Sequence, residues 1–174
     1  GGQRFVGLGT CAEYAVVDQP LSTRTPMSPR TLYAACKASA YLALSQFFGT
    51  RSVSFSWCRL FYLFGDGEDE RRLAPYIRKQ LSEGREALLT GGTQVRDYLN
   101  VADAAEFVLQ NALSDRQGAA NICSGTGQTV RQFAEGIADE YGRRDLLRFG
   151  AKAETAVDPP VIVGIRDDTS ERNS

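Results

Sequence analysis

The sequence predicts an α/β fold with a largely parallel sheet. Three observations lead there. Strand-like apolar runs alternate with helical stretches from residue 4 to about residue 149. Two of those runs, at 4–9 and 52–63, are rich in apolar and small residues, as buried strands are. No internal repeat or low-complexity tract competes with this reading.

Residues 4–9 read as a strand whose end is small, through Gly7 and Gly9. Residues 15–31 read as an irregular loop punctuated by Pro20, Pro26 and Pro29. Residues 32–48 read as a helix with small residues on one face (Ala34, Ala35, Ala38, Ala40) and Gly49 as its stop. Residues 52–63 begin with alternation and end almost continuously apolar, a strand buried at its far end. An acidic loop follows at 65–70, then an amphipathic helix at 72–83 with Leu73, Tyr76, Ile77 and Leu81 inward. Residues 86–90 and 95–99 read as short strands around a Gly91-Gly92 turn. Val101 to Leu113 reads as a helix that starts near Asn100 or Asp103. A short strand at 121–123 runs into Ser124-Gly125-Thr126-Gly127. Thr129 caps a further helix that reaches Tyr141 and stops at Gly142. Leu146 to Phe149 reads as a last strand. From Ala151 the chain is polar, with Pro159-Pro160, and reads as a poorly ordered tail.

At 174 residues the chain fits one domain, large enough to bury a core. A net charge of −1 gives no electrostatic case for nucleic acid or for an anionic membrane. No apolar run approaches the ~20 residues that span a bilayer. The chain opens on Gly1-Gly2-Gln3-Arg4 and enters a strand-like run at once, so no signal peptide is expected. The four cysteines are Cys11, Cys36, Cys58 and Cys123, with no Cys-x-x-Cys pair. They read as reduced thiols of a cytoplasmic protein rather than disulfides or zinc ligands. There is no histidine, which excludes a Ser-His-Asp device and a His-dependent metal site within the chain; no metal is expected.

Three residues carry the chemistry. Thr10 ends the first strand, and Tyr33 and Lys37 lie four apart on the first helix, on one face and one turn from each other. A free phenol, with a pKa of ~10, is a poor base at neutral pH, and a nearby cation favours its ionised form. Hydroxyl, phenol and ammonium together therefore make a proton-transfer device for a carbonyl or alcohol. The Tyr–Lys spacing alone is a weak pattern, and Tyr33 could pack while Lys37 is solvated. The strand ending in a hydroxyl residue, followed by a proline-punctuated loop and the helix, favours the catalytic reading.

Four blocks in order resemble the extended short-chain dehydrogenase/reductases, the NAD-dependent epimerase/dehydratase family that acts on nucleotide-linked sugars. Phe5 to Tyr14 is similar to the strand that ends in the catalytic Ser/Thr. Pro29 to Lys37 is similar to the Tyr-x-x-x-Lys helix. Cys58-Arg59-Leu60-Phe61-Tyr62-Leu63-Phe64-Gly65 is similar to the Arg-x-x-Asn-x-Tyr-Gly strand. Val95 to Ala105 is similar to the Arg-Asp-Tyr/Phe-x-x-Val-x-Asp-x-Ala block. The resemblance implies a partial Rossmann-like doubly wound parallel sheet with a small C-terminal substrate-binding portion. The expected division is 1–64 for the C-terminal half of a dinucleotide-binding domain, 65–150 for a substrate-binding portion interleaved with the last Rossmann elements, and 151–174 for the polar tail.

It also implies roles. Thr10 would bond the sugar oxygen and Tyr33 would exchange its proton. Lys37 would bond the nicotinamide ribose and favour the Tyr33 phenolate. Leu60 and Phe61 would lie beside the nicotinamide. Cys11 and Tyr62 would face the substrate, and Arg96 would pair with its diphosphate, as guanidinium suits phosphate. For Arg96 the alternative is a structural pair with Asp97 or Asp103. NAD or NADP is the implied cofactor, a nucleotide sugar the implied substrate, and a homodimer the implied assembly of the parent protein.

Three departures qualify the match. Where dehydratases carry Asp-Glu after the catalytic Thr, this chain has Cys11-Ala12, so water elimination lacks its acid and base. The Asn expected after Arg59-Leu60-Phe61 is Tyr62, so one diphosphate contact is absent or replaced. An aromatic there, with Gly9-Thr10-Cys11-Ala12-Glu13-Tyr14 and the Thr31-Leu32-Tyr33-x-x-Cys36-Lys37 run, resembles most the members that reduce or epimerise deoxysugar nucleotides, such as the abequose-synthase type. The glycine-rich dinucleotide fingerprint is absent, so the chain reads as a piece of a longer enzyme that would expose a sheet edge and bind cofactor weakly by itself. An epimerase or reductase is the expected activity; a dehydratase, or a non-catalytic sugar-nucleotide-binding scaffold of the same fold, is the alternative.

Overall fold

The computed structural model describes residues 2–153 and 158–166. Its central sheet has three strands, all parallel, in the order β1 (Arg4–Thr10), β2 (Ser54–Leu60), β7 (Gly118–Ile122). Between these strands lie α1 (Leu32–Gly49), β3 (Tyr62–Phe64), α2 (Leu73–Ser82), β4 (Ala87–Leu88), β5 (Val95–Arg96), β6 (Tyr98–Asn100) and α3 (Val101–Leu113). After them come β8 (Gln128–Thr129), α4 (Val130–Tyr141), β9 (Leu147–Arg148) and β10 (Val161–Ile162). Parallel strands need long crossovers, and here helices supply them.

Alternation along β2 decides which helix covers which face. Its odd residues face α1: Phe55 stacks on Phe48 and Tyr41, Trp57 lies against Tyr41, and the Arg59 guanidinium sits 4.8 Å from the Tyr41 ring. Its even residues face α3: Ser56 Oγ donates to Asn111 Oδ1 at 2.6 Å, and Cys58 packs with Ala104, Leu99 and Ile122. The sheet is thus covered on both faces, as the doubly wound expectation requires. β1 is one of its two outer strands, paired only with β2, and Phe5 and Leu8 are exposed there. Gly7 and Gly9 are glycines for a steric reason, since a Cβ at either would overlap the Trp57 indole.

A second layer forms around α2 and α4, where Ile77, Leu81, Phe133, Ile137 and Ala138 make a separate core. Three small pairings frame it: β3 with β6 (parallel), β4 with β9 (parallel), and β5 between β8 (antiparallel) and β10 (parallel). The helix caps follow the sequence closely. Asn100 Oδ1 accepts from Ala102 N, Thr129 and Gln132 form a reciprocal capping box, and Gly142 ends α4 in the left-handed region. Among the described residues no helix is long and apolar enough to cross a membrane.

Several expectations need correction. Residues 52–63 are not one strand: pairing changes partner at Phe61, whose N–H bonds Ile122 O, while Tyr62 N bonds Asp97 O. The 86–90 and 95–99 segments do not pair with each other; each finds a distant partner. The polar tail expected over 151–174 is wrong for part of its length. Val161–Ile162 joins β5, Ile162 is buried, and Gly164 bridges Leu21. Prolines 159 and 160 lie just before that strand, where a missing N–H costs no ladder bond. The rest of that expectation, at 154–157 and 167–174, lies outside the described residues.

Candidate active site

β1 and β2 end side by side at Thr10 and Leu60, and an open cleft of about 520 Å³ begins there. Crevices beyond the carboxyl ends of parallel strands are where open α/β sheets bind ligands. Thr10, Cys11, Tyr33, Leu60, Phe61 and Tyr62 all line this cleft. Lys37 does not: its Nζ donates to Leu8 O at 2.8 Å, two residues before Thr10. Arg96 lines a second cleft of about 340 Å³. The two clefts share Tyr62, Leu63, Phe64, Glu68 and Arg72, so they meet along β3 and the loop that follows it.

Thr10 is held from beneath. It caps a turn of 3-10 helix, Cys11–Glu13, with its Oγ1 accepting from Ala12 N, while its own N–H donates to Glu13 Oε1 at 2.8 Å. Glu13 is fully buried, and the same carboxylate accepts from Trp57 Nε1 at 3.1 Å and from Arg59 Nε at 2.7 Å. Arg59 Nη1 donates to the Tyr14 hydroxyl, which donates to Asn121 Oδ1 at 2.6 Å. Asn121 Nδ2 then reaches Leu21 O and Ile165 O. A buried polar chain therefore runs from the end of β1 across the sheet to the C-terminal segment. Burial works against the Arg59 charge, and Tyr14 and Glu13 more than offset it, so its pKa is raised.

Sequence reasoning did not assign a role to Glu13, Trp57, Arg59 or Asn121. A signal for Glu13 was present: Thr-x-x-Glu is the capping-box pattern. Nothing local marks Trp57 or Asn121. Asp97 ties together segments far apart in the chain. It is fully buried and accepts from Ser124 N and Oγ (both 2.7 Å), Gly125 N (3.0 Å) and Gly164 N (3.1 Å).

Arg96 is buried, with its guanidinium 5.3 Å from the Tyr62 ring and 3.9 Å from Asp158. Its carboxylate neighbour is thus Asp158, not the Asp97 or Asp103 that sequence proximity suggested. Four aromatic rings also line that cleft, Tyr62, Phe64, Tyr98 and Phe133; Tyr98 stacks on Phe133 at 3.8 Å and meets Tyr62 edge-on.

Burial pushes the Cys11 thiol up to about 12, and the Tyr62 and Tyr98 phenols to about 12 against the lowering effect of Arg96. Cys11 is a neutral wall of the cleft, not a nucleophile. All three groups are raised above their unfolded values, so the stability they contribute is complete below about pH 9. It is lost as pH rises from there toward 12, by about 1.4 kcal/mol per group and pH unit once the unfolded group ionises. Urea unfolding at pH 8 and pH 10.5 checks this; equal midpoints would contradict it.

The residues present suit the nicotinamide end of a dinucleotide. The cleft offers a hydroxyl, a phenol and an apolar wall, with an ammonium anchored two residues from the hydroxyl. The glycine turn at Ser124–Gly127 is not a phosphate cradle, because Asp97 takes the Ser124 and Gly125 N–H groups.

Comparison with known proteins gives the fold and the family. The chain is 27% identical over 193 aligned positions to UDP-arabinose 4-epimerase 1 of Arabidopsis thaliana, covering 93% of this chain and 46% of that protein. It thus spans about half the length of the curated relatives it matches. Among solved structures it superposes on UDP-N-acetylglucosamine 4-epimerase from Methanobrevibacter ruminantium with a TM-score of 0.88 at 24% identity, over 95% of this chain and 55% of that one. It superposes on the UDP-glucose 4-epimerase of Thermus thermophilus, solved with NAD, with a TM-score of 0.82 at 20% identity, over 94% and 56%. The family described as "NAD dependent epimerase/dehydratase family" matches residues 1–123, which hold all three strands of the central sheet and every residue lining the first cleft, and the chain belongs to that family.

Proposed function

We propose that the whole protein is an NAD(P)-dependent epimerase or reductase acting on a nucleotide-linked sugar, and that this chain carries its proton-transfer groups. The observation that carries the reading is the shared cleft: Thr10 and Tyr33, from two elements separated in sequence, line it together. In this reading Tyr33 exchanges a proton with the sugar oxygen through its phenol. Thr10 Oγ1 hydrogen-bonds the same oxygen and orients it. Lys37 exchanges its Leu8 carbonyl for a ribose hydroxyl and keeps positive charge one turn from the phenol. Leu60 and Phe61 form the wall that keeps water from the reacting carbon, with Cys11 and Tyr62 beside the sugar. Arg96, in the adjoining cleft, binds the diphosphate by paired hydrogen bonds. The chemistry that NAD or NADP supplies when bound is reversible hydride transfer at a sugar carbon. The UDP-sugar epimerases among its relatives support this substrate class. A homodimer is part of the same proposal, and the exposed Leu32, Leu42 and Phe47 on α1 suit it.

Carboxylate-driven elimination has no support at these positions. Cys11 is held neutral, Ala12 has no acid, and Glu13 is buried against Arg59 and Trp57. In the whole protein, Tyr33→Phe is expected to lower turnover by about three powers of ten or more while leaving nucleotide-sugar affinity within a few-fold. Steady-state kinetics with a panel of nucleotide hexoses and pentoses reads this. Unchanged turnover would favour a binding scaffold instead.

A further inference from the structure

Glu68 stands where the two clefts meet, and it lines both of them. Its side chain is only 12% exposed, and Arg72 Nε holds one oxygen, Oε1, at 3.1 Å. The other oxygen, Oε2, is buried and has no hydrogen-bond partner. Its neighbours are differently placed. Asp69 uses both oxygens on Arg71, and Glu70 pairs with Lys79. Among the described residues one other buried side-chain polar atom lacks a partner: Arg4 Nε, at the opposite end of β1 from the cleft. A charged acceptor shielded from water and left unbonded is unfavourable, so a position of this kind is explained best by a donor that arrives with a ligand.

We propose that Glu68 is a sugar-binding residue whose carboxylate accepts a hydrogen bond from a ring hydroxyl of the nucleotide sugar. The assignment rests on the nucleotide-sugar reading of the site and deepens it. A carboxylate repels phosphate, so Glu68 does not serve the diphosphate that Arg96 attracts. A neutral hydroxyl donor satisfies it, and a pyranose lying between the Thr10–Tyr33 end and the Arg96 end carries such hydroxyls past this point. The terminal torsion of a glutamate is soft and nearly two-fold, so a small turn brings Oε2 to the cleft without breaking the backbone of the loop. The carboxylate opposes ionisation of the Tyr98 phenol, which lines the second cleft with it. A sugar lacking the matching hydroxyl leaves Oε2 unpaired, so Glu68 discriminates hydroxylated sugars from their deoxy counterparts.

Calorimetric titration of the whole protein with nucleoside diphosphates and with their hexose conjugates tests this. Glu68→Gln keeps the shape and the Arg72 contact but loses the charge. It is expected to weaken the hexose conjugate about tenfold to a hundredfold while changing the bare diphosphate no more than about threefold. Glu68→Asp keeps the charge but withdraws it by one methylene, and is expected to show the same selective loss. If both variants leave the conjugate unchanged, or weaken conjugate and bare diphosphate alike, Glu68 is not a sugar ligand. If the wild-type protein binds diphosphates but gains nothing from the hexose, the assignment also fails while the phosphate role of Arg96 survives. If it binds none of them, the nucleotide-sugar reading itself falls.

Discussion

Glu13→Ala is expected to lower the unfolding free energy by about 3–5 kcal/mol, the cost of leaving one partner of a buried ion pair uncompensated. Both side chains are out of water, Arg59 at 2% exposure and Glu13 at 0%. The substitution would orphan three donors at once: Arg59 Nε, Trp57 Nε1 and the Thr10 N–H. Arg59 would keep its contacts with the Tyr14 hydroxyl and Met27 sulfur, but none of these is a counter-charge. Urea unfolding of the two proteins at neutral pH measures the difference. A loss below about 1 kcal/mol would show that the pair is idle. The double variant Glu13→Leu with Arg59→Met should recover much of the loss, because an apolar pair removes the stranded charge. Activity would not recover with it, since the Thr10 N–H loses the acceptor that fixes the end of β1. That split separates stability from positioning.

Asp97→Ala is expected to cost about 4 kcal/mol, again as a loss of stability, because four donors converge on one buried carboxylate and hydrogen bonds to a charged group are worth ~1.5–3 kcal/mol each without adding fully. Its effect should be regional. Ser124 and Gly125 come from the turn after β7 and Gly164 from the segment after β10, and this one carboxylate bonds the N–H groups of both. Hydrogen exchange at Gly164, Leu21 and Ile165 should quicken by at least a power of ten, while amides between β1 and β2 change less. Uniform acceleration across the chain would contradict a local clamp. Asp97→Asn keeps one acceptor oxygen and should fall between the two. Loosening of the 158–166 segment would also carry Asp158 away from Arg96, so diphosphate affinity should change along with stability.

Much of the architecture was legible where the signal is local. Thr129 and Gly142 bound α4, and Asn100 starts α3, because side-chain caps and a left-handed glycine act within a few residues. The strand before Thr10 and the helix after Pro29 were legible for the same reason. The return of Val161–Ile162 to the sheet was not. A two-residue strand beside two prolines carries no periodicity, and its partner Val95 lies far back in the chain. Residues 86–90 and 95–99 look like a hairpin because the Gly91-Gly92 turn stands between them. Each pairs elsewhere, since long-range burial outweighed a local turn preference.

By itself the sequence determined the alternation of strands and helices, the capped helix ends, and the residue types available for proton transfer: a threonine, a tyrosine and a lysine in a chain without histidine. These follow from periodicity and side-chain chemistry, which need no knowledge of distant neighbours. Only the tertiary structure decided that Thr10 and Tyr33 open onto one cleft while Lys37 turns to the Leu8 carbonyl, that Arg96 lines an adjoining cleft, and that Glu13, Arg59 and Asp97 are buried. Burial and partnership are properties of contacts between segments far apart in the chain, and those contacts exist only after the sheet has closed over them.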